Sequence, residues 1–262
     1  MIRIGIGGWT YEPWRGVFYP DGLPQARELQ YAAGKLTAIE VNGTFYRTQA
    51  PATFRKWADD TPDDFVFALK APRYATNRRV LAEGGPSIDR FIESGISELG
   101  AKLGPILWQF PPTKKFEQDD FAAFLKLLPA ALDGHPLRHA VEVRHESFVT
   151  SAFTDLVRAH GVAVVYAHSD VYPEIADPTA DFVYARLQQT REDVPSGYSA
   201  PELDVWAERV RAWAHGGCPP DLPRLSDVPP DRPRDCFVFF ISGAKVRAPA
   251  AAMALIDRLQ PR

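Results

Sequence analysis

The chain has 262 residues, 45% hydrophobic and 24% charged, a balance that supports a large core and excludes a disordered chain. Thirty basic against thirty-three acidic side chains leave a net charge of −3, which excludes a globally basic nucleic-acid binder and leaves only local basic patches open. No apolar run has the length of a membrane span, Met1-Ile2-Arg3-Ile4 opens no long apolar leader, and two cysteines without CxxC spacing make no disulfide framework or zinc site, so a soluble cytoplasmic protein is expected.

Ile2 to Gly8 alternates isoleucine with small or polar residues, the period of a two-faced strand, with glycines on one face as room for a ligand or a neighbouring backbone. Gln25 to Ala33 reads as a helix, Ala38 to Asn42 as a second strand, and Pro51 to Asp60 as a helix with proline in its first turn. Phe65 to Lys70 is a third strand, Ser87 to Leu99 a helix capped by Ser87, and Ile106 to Gln109 a fourth strand before Asp119 to Leu128.

His139 to Arg144 gives a fifth strand, Thr154 to His160 a short helix ended by Gly161, and Val162 to Tyr166 a sixth strand. Pro173 and Pro178 break the stretch that follows, so the sixth helix is expected to be reduced or missing. Phe182 to Leu187, Glu202 to Ala214, Cys236 to Ile241 and Pro249 to Leu259 complete the alternation, with Gly216 to Pro233 as a long loop. Eight strand–helix units predict a (β/α)8 TIM barrel in a single α/β domain over residues 1–262. An open doubly wound sheet is the alternative, but its GxGxxG fingerprint is missing.

In such a barrel the chemistry lies at the C-terminal strand ends, and period two sorts which side chains face inward. Ile39 and Val41 belong under the helices, which sends Glu40 and Asn42 inside. By the same rule Lys70, Gln109, Glu142, Arg144 and Arg186 point into the barrel. Polar groups on five strands exceed what packing alone requires, although a buried salt-bridge network is the structural alternative.

Two clusters flank this ring. Trp9, Tyr11, Trp14, Phe18 and Tyr19, with Phe45 and Tyr46, offer either stacking surfaces or an aromatic core for two long loops. Arg73, Arg78 and Arg79 form a basic patch suited to phosphate or carboxylate, or else a solvated charge run. His145, His168 and Asp170 could join the two glutamates as metal ligands, but no HxH or HxxxH pair anchors them and three cations compete, so neither metal nor cofactor is expected. No GxSxG turn points to nucleophilic serine chemistry.

Gly7-Gly8-Trp9-Thr10-Tyr11, Trp14 to Pro20, Glu40 to Arg47, Phe67 to Pro72, Leu107 to Pro112 and Glu142-Val143-Arg144-His145 together resemble the YecE-like family, the domain of unknown function 72, along nearly the whole chain. The resemblance implies a TIM barrel, similar to those of endonuclease IV and the sugar isomerases, and hence nucleic-acid or sugar chemistry. Against the family pattern this chain has Thr76-Asn77 in place of Thr-His, and Gln188-Gln189 in place of His-Gly after strand seven. Strand eight ends in Ile241-Ser242-Gly243-Ala244-Lys245 rather than an asparagine-rich turn. A histidine or metal mechanism shared across the family is therefore not expected here.

The leading expectation is an enzyme for a small anionic substrate, a phosphorylated sugar or nucleotide-like molecule. Lys70, Arg144 and Arg186 would hold charge, Asn42, Gln109, Trp9 and Tyr46 would line the site, and Glu142 or Glu40, in a water-accessible mouth, would be general acid or base. A non-catalytic nucleic-acid binder using Arg73, Arg78 and Arg79 is the second reading. A glycoside hydrolase is the third, weakened because Gln109 and Arg186 stand where paired acids would end strands four and seven.

Overall fold

A computed structural model describes residues 1–227 and 232–260. Eight parallel strands close into a barrel: β1 (Ile2–Gly7), β2 (Ala38–Val41), β3 (Val66–Lys70), β4 (Leu103–Gln109), β5 (His139–Glu142), β6 (Ala163–His168), β7 (Phe182–Leu187) and β8 (Asp235–Phe240). They neighbour one another in chain order, and β8 pairs with β1 from Ile2 opposite Cys236 to Ile6 opposite Phe240. Each crossover returns to a parallel neighbour, so the chain never leaves the ring and every strand ends at the same rim.

Two apolar cores result from the alternation of side chains along each strand. Inside the barrel lie Ala38, Val66, Ala68, Leu107, Ala140, Val165, Phe182, Tyr184, Phe237 and Phe239. Outside, Ile39, Val41, Phe67, Trp108, Val141 and Val238 pack beneath the helices. The inward register read from the sequence is therefore the one observed. Gly5 explains why β1 carries glycine: a Cβ there would lie 2.0 Å from the Ala38 carbonyl oxygen. One built on Gly7 would meet Ile241 at 2.7 Å, so these glycines make room for neighbouring chain and side chain.

The helices are α1 (Glu28–Ala33), the single turn α2 (Gly43–Tyr46), α3 (Pro51–Asp59), the single turn α4 (Arg73–Thr76), α5 (Gly85–Ile92), α6 (Gln118–Leu127), α7 (Ser151–Ala159), α8 (Ala200–Ala214) and α9 (Ala248–Leu259). No helix stands between β6 and β7, in agreement with the proline-broken pattern. The longest, α8, starts with a capping box in which Ser199 and Glu202 satisfy each other's backbone groups. No helix among the described residues is long and apolar enough to cross a membrane.

Two features differ from expectation. The helix expected from Ser87 to Leu99 begins instead at Gly85, with Pro86 in its first turn, and ends at Ile92 because Gly95 takes a left-handed φ of 100°. Ser87 is no cap; its hydroxyl accepts from Arg78 Nη2 at 2.8 Å. A 3-10 segment, Ile96–Lys102, fills the remainder. A small antiparallel hairpin, Ala131–Leu132 with His135–Pro136, was not expected, although Asp133-Gly134, both at positive φ, is a turn signal visible in the sequence. The long loop expected over residues 216–233 includes residues 228–231, which lie outside the described residues.

Candidate functional site

The inward side chains of β2, β5 and β7 meet across the barrel. Arg186 donates from Nε and Nη2 to the two oxygens of Glu40 at 3.0 and 3.1 Å, a fork on a carboxylate. Its third nitrogen, Nη1, donates to Glu142 Oε2. Tyr184, two residues before Arg186 and so on the same face, donates to Glu40 Oε2 at 2.8 Å. Gln109 Nε2 donates to Glu142 Oε2 at 3.0 Å and Arg144 Nε to Glu142 Oε1 at 2.7 Å.

All four carboxylate oxygens thus accept hydrogen bonds, and both glutamates are 0% exposed. The expectation that Glu142 sits in a water-accessible mouth is corrected: it belongs to a sealed polar floor. Burial by itself would raise the Glu142 carboxyl, but the Arg186 and Arg144 guanidinium groups and the Gln109 amide outweigh it and hold the group down at about 2. It stays an ionised acceptor at neutral pH. Burial pushes the Tyr184 phenol well up, with the Glu40 charge acting in the same direction, so it remains a donor.

Above this floor the cations are less well matched. Three of them, Lys70, Arg144 and Arg186, face two carboxylates, and Arg186 takes up Glu40 completely. Arg144 lies just beyond the end of β5, where its guanidinium stacks 4.2 Å from the centre of the Tyr172 ring. Tyr172 comes from the irregular β6–β7 connection, and nothing in the sequence pattern points to it. Lys70, the last residue of β3, has no ion-pair or hydrogen-bond partner for its ammonium among the described residues; Nζ stands 4.0 Å from the centre of the Phe45 ring. Burial first, then Arg186 and Arg144 against the opposing pull of Glu40 and Glu142, lowers this amine to about 8. Thr44 in α2 fixes the strand end by donating from Oγ1 to the Lys70 carbonyl at 2.7 Å. Asn42 faces the mouth next to the position of Gly7, with Nδ2 3.0 Å from where a Cβ there would stand.

The remaining candidates separate. Trp9 packs edge-on against Trp57 of α3 at 5.1 Å and Trp14 is fully buried, so the β1 aromatics form a loop core rather than an open platform. Tyr46 stays 61% exposed beside Phe45 and is a rim aromatic open to solvent. Arg78 is occupied with the Tyr74 carbonyl at 2.6 Å and Ser87, and Arg73 lies over the Tyr74 ring. Arg78 and Arg79 join Lys114 and Lys115 in a groove of about 490 Å³ that Arg73 does not line. Lys114, invisible in the sequence because only the fold brings the β4 loop beside the β3 loop, is committed there to Asp120 at 2.7 Å and to the Arg79 carbonyl at 2.8 Å, which leaves Arg79 and Lys115 as the exposed cations.

His145 Nδ1 lies 2.9 Å from Ser147 and His168 Nδ1 3.2 Å from the Tyr198 hydroxyl; no group of three histidine, cysteine or acidic side chains converges among the described residues. Gln188 has its side-chain nitrogen buried without a partner, and Gln189 donates to Asp170 at 2.7 Å.

Proteins of known sequence and structure resemble this chain to different degrees. The chain is 28% identical over 151 residues to the UPF0759 protein YecE of Escherichia coli (strain K12), covering 56% of this chain and 50% of that one. It is 26% identical over 174 residues to the UPF0759 protein YunF of Bacillus subtilis (strain 168), covering 64% and 60%. The match thus spans about half to three-fifths of these relatives. A DUF72 family protein from Thermotoga maritima MSB8 superposes with a TM-score of 0.76 at 24% identity, over 99% of both chains. One from Enterococcus faecalis V583 reaches 0.67 at 16% identity, over 99% of this chain and 95% of that one, so the barrel is common to all three folds. Residues 3–262, from the first barrel strand through the last helix, match the family model described as Protein of unknown function DUF72, and the chain belongs to that family.

Proposed function

We propose that the chain is an enzyme acting on a small anionic substrate, a phosphorylated sugar or a nucleotide-like molecule, at the C-terminal mouth of its barrel. The observation that carries this reading is the charge imbalance above the floor: with the carboxylates saturated, Lys70 and the Nη2 of Arg144, whose Nε is on Glu142 and whose Nη1 donates to the Tyr172 hydroxyl at 3.4 Å, remain to attract an anion. Gln109 and Asn42 orient it from β4 and β2, and the exposed ring of Tyr46 supplies a flat apolar side. Arg186 holds the floor together and sets the positive potential without touching solvent. Glu40 and Glu142, proposed from the sequence as acid and base, act in this reading as fixed charges that keep Arg186 and Arg144 in place.

Thermal denaturation with a panel of sugar phosphates, nucleotides and their uncharged parents tests this. Stabilisation by phosphorylated members alone, lost in Arg144→Gln, supports the site. Equal response to charged and uncharged members rejects it.

A second reading, binding of a nucleic-acid backbone without turnover, rests on the groove of Arg78, Arg79, Lys114 and Lys115. Its signature is an affinity that falls steeply with salt and is unchanged by Lys70 or Arg144 substitutions.

A further inference from the structure

We propose that Lys70 is a covalent catalyst, its ε-amine condensing with the carbonyl carbon of an anionic aldehyde or ketone to form an imine at the barrel mouth. This rests on the reading of the mouth as an anion site and goes further, since it specifies a carbonyl in the substrate and a bond to the protein.

Lysine is a costly choice for so buried a position unless something pairs with it. Lys70 is 7% exposed, yet neither Glu40 nor Glu142 accepts from it, because both carboxylates are committed to Arg186 and its neighbours. What it does contact is a ring face, that of Phe45. Its Nζ is not fully enclosed, and Lys70 is the last residue of β3, at the mouth end of the barrel. A lysine retained for stability would be expected to pair; one retained for nucleophilic chemistry is kept desolvated and beside other cations, which favours the neutral amine. The groups facing Lys70 are Arg186 and Arg144, which favour the neutral form, and Glu40 and Glu142, which oppose it; with burial the balance places its titration at about 8. A useful fraction of free amine is then present at physiological pH.

The step balances without an oxidant or reductant. The amine nitrogen attacks the carbonyl carbon, the C–N bond forms, and the C–O π pair moves to oxygen, which takes a proton from nitrogen. A second proton, taken from solvent, converts the departing hydroxyl of this carbinolamine to water, whose loss leaves a protonated imine, and water reverses the sequence. The imine is an electron sink for the adjacent carbon, the same chemical advantage that lysine offers other carbonyl substrates. Arg144, on β5's side of the same mouth, is placed to hold the anionic end.

The test uses glyceraldehyde 3-phosphate as probe, with borohydride to reduce any imine, and peptide mass mapping of the wild-type chain. Lys115, exposed on the β4 loop, is the internal comparator, so the result does not depend on a variant that folds. The expected result is a reduction-stable adduct at Lys70 formed about ten-fold faster than at Lys115 near neutral pH, with a rate that levels off above about pH 8. Lys70→Arg, which keeps the cation, should lose the adduct while still being stabilised by the phosphate. Adducts spread evenly over exposed lysines, or none at Lys70, overturn the proposal. A parallel arm with uncharged glyceraldehyde separates the two readings. Selective capture of both aldehydes at equal rates keeps the imine and removes the anion site. Thermal stabilisation by the phosphate without a Lys70 adduct removes the imine and keeps the anion site.

Discussion

Arg186 reaches from β7 to β2 and places Nε and Nη2 on the Glu40 carboxylate at 3.0 and 3.1 Å, tying opposite walls of the barrel together. With Glu142 on a third wall, this triad caps the apolar interior of the barrel on its C-terminal side. In the proposed site it separates Lys70 and Arg144, which would face a ligand, from its own saturated carboxylates, which would not.

Breaking the triad from one side should be expensive. Glu142→Gln takes the charge from a group that balances both Arg186 and Arg144. A loss of about 3–5 kcal/mol is expected, because an uncompensated buried charge remains. Urea unfolding at matched slope measures it. A loss below about 1 kcal/mol would show that Glu142 is not part of a structural floor.

Acid should act through the same residue. The Glu142 carboxyl titrates at about 2 in the fold and near 4.3 in an unfolded chain, so its depressed value stabilises the fold above roughly pH 4.5. That contribution fades as pH falls toward 2. Glu142→Gln should therefore differ most from wild type at neutral pH and converge on it toward pH 2; a constant difference would contradict the assignment.

Glycines of β1 offer a contrast of mechanism. Gly5→Ala pushes a methyl into the Ala38 carbonyl, where neither backbone can yield without opening the barrel, and should cost about 3 kcal/mol or more. Gly8→Ala meets open space and pays only for its positive φ, about 1 kcal/mol. Thermal melts of the two variants should rank in that order.

The barrel was legible because its code is local: alternation along each strand decides which side chains face inward, and Glu40, Lys70, Gln109, Glu142 and Arg186 fall where that alternation sends them. Whom each one meets was not legible. The pairing of Arg186 with Glu40 spans 146 residues and depends on the barrel's closure, and the Tyr172 ring under Arg144 comes from a stretch with no regular pattern. The three arginines after β3 looked equivalent as a run, but Arg73 lies over the Tyr74 ring away from the groove, while Arg78 and Arg79 both line it and Arg78 also holds the loop.

That separation is itself testable. Arg79→Gln with Lys115→Gln removes two exposed charges from the groove and should leave stability within about 0.5 kcal/mol. If nucleic acid binds there, the slope of log affinity against log salt should become shallower by roughly two contacts' worth. Arg78→Ala should instead loosen the β3 loop, seen as faster proteolysis near residues 74–87, since two hydrogen bonds that span it are lost.

Lys70 carries the sharpest pH signature. Its amine is lowered from 10.5 to about 8 in the fold, so between those values the unfolded chain binds more protons and stability rises with pH. Below about pH 8 both states are protonated and the fold bears the full cost of a desolvated ammonium. Lys70→Met removes that cost and also the contact with the Phe45 ring, leaving a net gain of about 1–2 kcal/mol at neutral pH. The gain should shrink as pH climbs from 8 toward 10.5, where wild-type Lys70 is neutral in both states. Cys236 and the buried tyrosines, among them Tyr184 and Tyr198, titrate in the opposite sense over part of that range. They are common to both proteins, so the prediction concerns the difference in unfolding free energy between variant and wild type. A difference that stays flat from pH 7 to pH 10, measured by urea unfolding, would mean that Lys70 is an ordinary solvated ammonium, and the electrostatic basis for a reactive amine at the end of β3 would be gone.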